Sequence, residues 1–160
     1  MTSNLQLYTE VAEFISFEND LLDQKDYRAW LDLWTDEGYY IVPIDIDADE
    51  FSDKLNFAYD DAEMRDLRVR RLLNGESVSS VAMKKAIRNV GRFRVLNDDG
   101  STVKARAALL LNEVRHDQVI TYAADVSYRL KRVDGSFRID QKIVRLLNAE
   151  SHLRTVAFIF

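Results

Sequence analysis

The chain has 160 residues, of which 47% are hydrophobic and 31% charged, a profile typical of a folded globular protein. Its net charge of −5 argues against nucleic acid as a partner. No apolar run is long enough to span a membrane, and the opening residues MTSNLQLYTE lack the pattern of a signal peptide. We therefore predict one domain over residues 1–160, with no membrane contact and a cytoplasmic location.

The chain has no cysteine and only two histidines, His116 and His152. Disulfides, cysteine nucleophiles and cysteine-ligated iron–sulfur clusters are therefore excluded, because each needs a cysteine sulfur. A metal site of two histidines and one carboxylate would need both histidines at once, although they are far apart in sequence. No phosphate-binding glycine loop or nucleophile-elbow motif occurs either.

The first half of the chain has helical patterns followed by a strand. Apolar residues at helical spacing predict an amphipathic helix over residues 5–24. A second short helix is predicted after Asp26, a suitable N-cap, and is expected to end at Gly38. Its apolar face consists of Tyr27, Trp30, Leu31 and Trp34. Alternation then predicts a strand over residues 39–46, with Pro43 at an edge or a bulge.

An acidic segment and an arginine-rich helix come next. Residues 45–63 carry eight acidic residues and one lysine, which predicts a solvated loop. A hard cation is the alternative, but the spacing is not that of a calcium loop. Residues 61–74 are predicted to form a helix with its arginines outward and with an inward face of Met64, Leu67 and Leu72. Such arginines are either solvated or paired with carboxylates of another subunit.

The second half has the pattern of an antiparallel meander. Strands are predicted over residues 81–96, 102–115, 119–132 and 136–147, and the short polar connections between them are hairpin signals. The apolar end of the sequence, TVAFIF, is predicted to be a further strand or a buried plug. Helices followed by a long antiparallel sheet predict an α+β fold. We expect the N-terminal helices to pack inside a strongly curved antiparallel or mixed sheet, which forms a cone.

Several stretches together resemble the small β subunit of aromatic-ring-hydroxylating, Rieske-type dioxygenases, which belong to the NTF2-like superfamily. They are ENDLLDQKDYRAWLDLWTDEGYYIVP, MRDLRVRRLLNG, the dipeptide Asn89-Val90 and the final AFIF. One stretch departs from the family pattern. Where the family usually has a Thr-Arg-His-type segment, this chain has residues 83–88, which keep basic character in Lys84, Lys85 and Arg88 but lack the histidine.

The resemblance implies a non-catalytic structural subunit in aromatic compound catabolism. It implies an iron-containing large subunit as partner, an α3β3 assembly of three large and three small subunits, and a trimer of this chain. The Rieske [2Fe–2S] cluster and the mononuclear iron would lie in the large subunit, so neither a cofactor, a metal nor a catalytic residue is expected here. Candidate subunit-contact residues are Arg68, Arg70, Arg71, Lys85, Arg88, Phe158 and Phe160.

A stand-alone NTF2-like enzyme or small-molecule binder is the alternative. In a ketosteroid isomerase-like site, a carboxylate just before a proline would act as the base, but Ile41 and Val42 occupy that region and cannot take a proton. A site similar to that of scytalone dehydratase would use a histidine with tyrosines. The candidates are Tyr40, His116, Tyr122 and Tyr128. Asp125 is expected on the opposite sheet face from Tyr122.

Overall fold

The computed structural model describes residues 2–74, 85–147 and 159–160, except for the side chains of residues 2 and 3. In this part of the chain, helices and one hairpin-like strand pair precede four long strands. The elements are α1 (Thr2–Asp23), α2 (Tyr27–Leu31), β1 (Trp34–Pro43), β2 (Asn56–Asp60), α3 (Ala62–Leu73), β3 (Ala86–Asp98), β4 (Thr102–Arg115), β5 (Gln118–Val133) and β6 (Ser136–Leu146).

The strands form one curved, unclosed sheet in the order β2-β1-β6-β5-β4-β3. Strands β3 to β6 form the predicted antiparallel meander, and β1 joins β6 in parallel. Helix α1 packs its apolar stripe against the inner face of this sheet, where the main core lies. The predicted α+β cone, with helices inside a mixed sheet, is therefore confirmed.

Tight turns fix the register of the meander. His116 and Asp117, between β4 and β5, have φ of 49° and 61°, and Asp134 and Gly135, between β5 and β6, have φ of 53° and 77°. Positive φ at both central residues is the geometry of hairpin turns that follow the natural twist of the strands. Alternate residues of β5 consequently face inward, including Tyr122 and Tyr128, while Asp125 faces outward as predicted.

Two boundaries in the first half differ from the sequence prediction. Helix α2 ends at Leu31 rather than near Gly38, and β1 runs from Trp34 to Pro43 rather than over 39–46. Trp34 pairs with Ile139 of β6, and its ring packs on Trp30 at a centroid distance of 5.4 Å. The two tryptophans are four residues apart, as they would be on one face of a helix. Here, however, their rings meet because the chain turns between them after α2 has ended. The bulge at Pro43 is confirmed, since register shifts between Val42 and Pro43. The short strand β2 was missed within the predicted acidic loop.

Helix α3 is one residue shorter at each end than predicted, and a different face of it is buried. Arg65 and Val69 point inward, whereas Met64 is 43% exposed. The prediction that all arginines face outward is wrong at Arg65, which is 2% exposed. Its guanidinium donates to main-chain oxygens of Gly38, Thr35 and Asp60 and lies over the Trp34 ring. A buried arginine is stable here because irregular β1 backbone and an aromatic face supply its partners.

Gly38 is expected to resist substitution because the sheet crowds it. A Cβ added there would lie 2.9 Å from the oxygen of Ile139, 3.0 Å from that of Asp140 and 3.0 Å from the Trp34 ring. We expect Gly38→Ala to lower the free energy of unfolding by about 1–3 kcal/mol, the usual cost of overpacking. Gly91→Ala is the control, because a Cβ at Gly91 meets nothing within 4 Å. Urea unfolding of both variants would check this, and equal stabilities would contradict it.

Candidate functional site

A row of polar side chains crosses the inner face of the sheet. Tyr40 of β1 and Tyr128 of β5 both pair in register with Lys142 of β6, which lies between them. The three side chains are buried although each carries a polar end. Buried polar groups are stable only when they are hydrogen-bonded, and a buried ammonium additionally needs an opposite charge. The helices supply those partners.

Glu18 of α1 is the centre of a buried hydrogen-bonded network, and both it and Lys142 are 0% exposed. One carboxylate oxygen accepts from the Tyr128 hydroxyl at 2.7 Å. The other accepts from Lys142 Nζ at 2.7 Å and from Trp30 Nε1 at 3.0 Å. Four separate elements are therefore joined by a single carboxylate.

The local sequence explains how these groups come together. Glu18 lies four residues after Phe14 and four before Leu22, so it belongs to the buried stripe of α1. Asp26 caps α2 by accepting from the Ala29 amide at 3.2 Å, and the short helix then directs Trp30 toward Glu18. An acidic residue on the apolar stripe of a helix indicates a buried carboxylate. The sequence interpretation did not identify Glu18, although it occupies such a position.

Aromatic rings fill the space beside the network. The Trp30 ring meets the Tyr40 ring edge to face at 5.9 Å, and Trp34 meets Tyr40 in the same way at 6.4 Å. Edge-to-face contacts of this kind add to the stabilisation that burial itself gives. This part of the cone is packed with side chains.

The last two residues of the sequence, Ile159 and Phe160, called the tail below, lie inside the cone and are 1% and 0% exposed. The Phe160 amide donates to the Tyr40 hydroxyl at 2.9 Å, and Lys142 Nζ donates to the Phe160 main-chain oxygen. Arg88 of β3 donates to the main-chain oxygen of Ile159. For these two residues the plug alternative is confirmed, whereas residues 155–158 lie outside the described part of the chain.

Burial controls the ionisation of the polar groups in the cone. It raises the pKa of Tyr40 well above its usual value, and it does the same for Tyr128, where the Glu18 carboxylate adds to the effect. Burial, helped by Glu113, raises the pKa of Tyr122 to about 12. Burial also lowers the pKa of Lys142, and the Glu18 carboxylate opposes that change. The tyrosines are therefore protonated at neutral pH and act as hydrogen-bonding groups rather than as bases.

Sequence comparison identifies the family. The family model described as the ring hydroxylating beta subunit matches residues 18–151. The chain belongs to this family. It is 27% identical over 136 residues to the small oxygenase component of the p-cumate 2,3-dioxygenase system of Pseudomonas putida, with 84% of this chain and 76% of that protein covered.

Solved structures agree in fold with this β subunit. The β subunit of the benzoate 1,2-dioxygenase from Burkholderia mallei superposes with a TM-score of 0.75 at 21% identity, over 91% of this chain and 95% of that one. An NTF2-like protein with a cystatin-like fold from Novosphingobium aromaticivorans gives 0.67 at 16% identity, over 99% and 95% of the two chains. The predicted family and the predicted role as a small dioxygenase subunit within an enzyme complex are confirmed, and the stand-alone alternative is not favoured.

The four residues of the alternative pocket are not brought together in this β subunit. Tyr40, Tyr122 and Tyr128 are buried, and the tail links the first two, since the Phe160 ring contacts Tyr122 at 5.9 Å. His116 instead occupies the exposed turn between β4 and β5. Tyr122 pairs with Leu111, so about five residue steps along the strand, roughly 16 Å at ~3.3 Å per step, separate it from that turn.

Some candidate contact residues have ion-pair or packing partners within the chain. Arg68 pairs with the buried Asp60 at 2.6 Å. Arg88 pairs with Asp23 at 2.8 Å and is 3% exposed. Phe160 is in the core, and Phe158 lies outside the described residues. The other three candidates, Arg70, Arg71 and Lys85, are exposed, although Arg70 also pairs with Asp66 on its own helix.

The residues of this chain do not fit an iron–sulfur cluster of the Rieske kind. Such a cluster needs cysteine ligands, and the sequence has none. Within residues 2–74, 85–147 and 159–160, no group of three histidine, aspartate or glutamate side chains is placed to hold a metal ion. In the same ranges, no helix is both long and apolar enough to cross a membrane.

Proposed function

We propose that this chain is the architectural subunit of a ring-hydroxylating dioxygenase that acts in aromatic compound catabolism. The observation that carries the proposal is the family match over residues 18–151, which includes the strands β1 to β6 of the described chain and the Glu18 network. In this proposal the large subunit carries the Rieske [2Fe–2S] cluster and the mononuclear iron, and catalysis takes place there. The small subunit contributes no catalytic residue.

We propose an α3β3 assembly located in the cytoplasm, in which the small subunits also associate as a trimer. Two groups of exposed side chains are the proposed contact points. The basic group is Arg70, Arg71 and Lys85. The acidic group follows helix α2 and consists of Asp32, Asp36 and Glu37. Guanidinium and carboxylate groups in such positions suit the charge pairing that aligns subunits.

Co-expression with the large subunit of the same oxygenase tests this function. We expect the two chains to purify together through a tag on the large subunit and to elute at the mass of a hexamer. We also expect ring hydroxylation, with the electron-transfer partners supplied, to fall at least tenfold when the small subunit is omitted. Separate elution of the two chains, or full activity of the large subunit alone, would overturn the proposal.

Surface variants test the proposed contact points in the same assay. The triple variant Arg70→Ala, Arg71→Ala, Lys85→Ala is expected to weaken co-purification at 0.15 M salt. A matched variant on the outer sheet face, Arg94→Ala with Lys104→Ala, removes exposed basic side chains elsewhere and is expected to leave it unchanged. If only the second variant weakens the complex, the contact lies on the sheet and the proposed contact points are wrong.

A further inference from the structure

The tail is held in the way that a binding site holds a ligand. Three of its main-chain polar atoms meet side chains from three different strands: Tyr40 at the Phe160 amide, Lys142 at the Phe160 oxygen and Arg88 at the Ile159 oxygen. The Phe160 ring packs edge to face on Tyr122. Buried main-chain atoms always need hydrogen-bond partners, and here the partners are side chains of the sheet rather than neighbouring main-chain groups.

The groups that hold the tail are themselves fixed by the rest of the fold. Glu18 positions Lys142 by accepting a hydrogen bond from its ammonium. The Asp23 carboxylate positions Arg88 by accepting from the Arg88 guanidinium at 2.8 Å and from the Arg88 main-chain amide at 3.1 Å. The Tyr40 ring packs edge to face on both Trp30 and Trp34. These contacts do not involve the tail, so each donor has partners in the fold besides the tail. Preorganised donors of this kind favour binding because little ordering is needed.

The tail, which occupies this space, indicates the class of ligand that the space can hold. It presents an aromatic ring and, a few bonds away, an acyl oxygen that accepts a hydrogen bond from the Lys142 ammonium. We propose that the interior of the cone is a binding site for a small aromatic compound with a carboxylate or amide group, and that the tail occupies this site as an intramolecular ligand. The proposal goes beyond the architectural function, which needs no ligand in the cone.

The tail is covalently attached to the chain, so a free ligand must compete with it for the interior site. A tethered ligand acts at an effective concentration in the mM range. A free aromatic acid at about 0.1 mM, well below that concentration, is therefore expected to leave the intact chain unchanged and to bind a chain that lacks the tail. The comparison between these two proteins isolates the interior site from any site on the outer surface.

The test uses a variant that lacks Ile159 and Phe160, with N-acetyl-isoleucyl-phenylalanine and 3-phenylpropionate as probes at about 0.1 mM. We expect the variant to have a lower Tm than the intact chain and each probe to raise its Tm while leaving the intact chain unchanged. N-acetyl-isoleucyl-alanine and hexanoate, which lack the ring, should have little effect. Titration calorimetry should give saturable binding to the variant only. An unchanged Tm on truncation, equal effects of the probes without a ring, or equal effects on both proteins would overturn the proposal.

Two further variants keep the test decisive if the shortened chain folds poorly. Phe160→Ala in the full-length chain keeps the main-chain contacts and removes only the ring, so toluene is expected to raise its Tm and not that of the unsubstituted chain. In the shortened chain, Glu18→Gln with Lys142→Met removes the acyl-oxygen donor without leaving one charge unpaired. That change should weaken 3-phenylpropionate binding at least tenfold. No effect of toluene on Phe160→Ala, or unchanged affinity in the double variant, would contradict the proposed site.

Discussion

Replacing Lys142 with methionine is expected to lower the free energy of unfolding by about 3–5 kcal/mol, because the substitution leaves the fully buried Glu18 carboxylate without its counter-charge. The lost hydrogen bond to the Phe160 oxygen adds to the cost. Urea unfolding followed by far-ultraviolet circular dichroism would measure the change. Methionine has a similar length, so the effect reports charge more than volume.

The matched control neutralises both members of the pair. In Glu18→Gln with Lys142→Met neither member of this pair is charged, and a glutamine oxygen and amide still reach Trp30 and Tyr128. We expect this double variant to recover at least half of the lost stability, because removing both charges avoids the desolvation cost that one unpaired charge carries. A double variant as unstable as Lys142→Met would show that volume or the Phe160 contact, rather than charge, dominates.

Replacing Trp30 with alanine is expected to lower the free energy of unfolding by about 3–5 kcal/mol. The ring is 0% exposed, packs against both Trp34 and Tyr40, and donates to Glu18. Alanine therefore creates a cavity at the centre of the cone and removes one donor from the Glu18 carboxylate. Thermal and urea unfolding of the variant would check the size of the loss.

Trp30→Phe separates the contribution of ring packing from that of the hydrogen bond to Glu18. Phenylalanine retains most of the ring volume but lacks the N–H that donates to Glu18, so its cost is expected to be about 1–3 kcal/mol. A result equal to that of alanine would mean that the hydrogen bond accounts for nearly all of the effect. A loss below about 0.5 kcal/mol for either variant would contradict the central role of Trp30.

Local sequence patterns were sufficient to predict the elements whose conformation depends on nearby residues alone. The amphipathic stripe of α1, the cap at Asp26 and the meander strands with their turns at His116 and at Asp134-Gly135 were all predicted near their observed positions. The alternation that sends Tyr122 inward and Asp125 outward was also predicted correctly. These features depend on periodicity and turn chemistry, which act within a few residues.

The sequence interpretation failed where distant groups change the preference of a residue. Arginine is normally exposed, but Arg65 is buried because main-chain oxygens of β1, some thirty residues earlier, accept its hydrogen bonds. Trp34 has helical spacing from Trp30 and nevertheless begins a strand, because β6 offers it a pairing partner. Neither partner is visible in the local pattern, so propensity alone gives the wrong result.

The sequence by itself determined the fold class, the lack of cysteine ligands for an iron–sulfur cluster and the resemblance to dioxygenase small subunits, because composition, periodicity and motif order are properties of the chain. Only the tertiary structure decided that Glu18, Trp30, Tyr128 and Lys142 form one network, and that the tail occupies the space beside it. Glu18 and Lys142 are 124 positions apart. A buried ion pair of that separation exists only after helix and sheet have packed, since each charge is stable there only in the presence of the other.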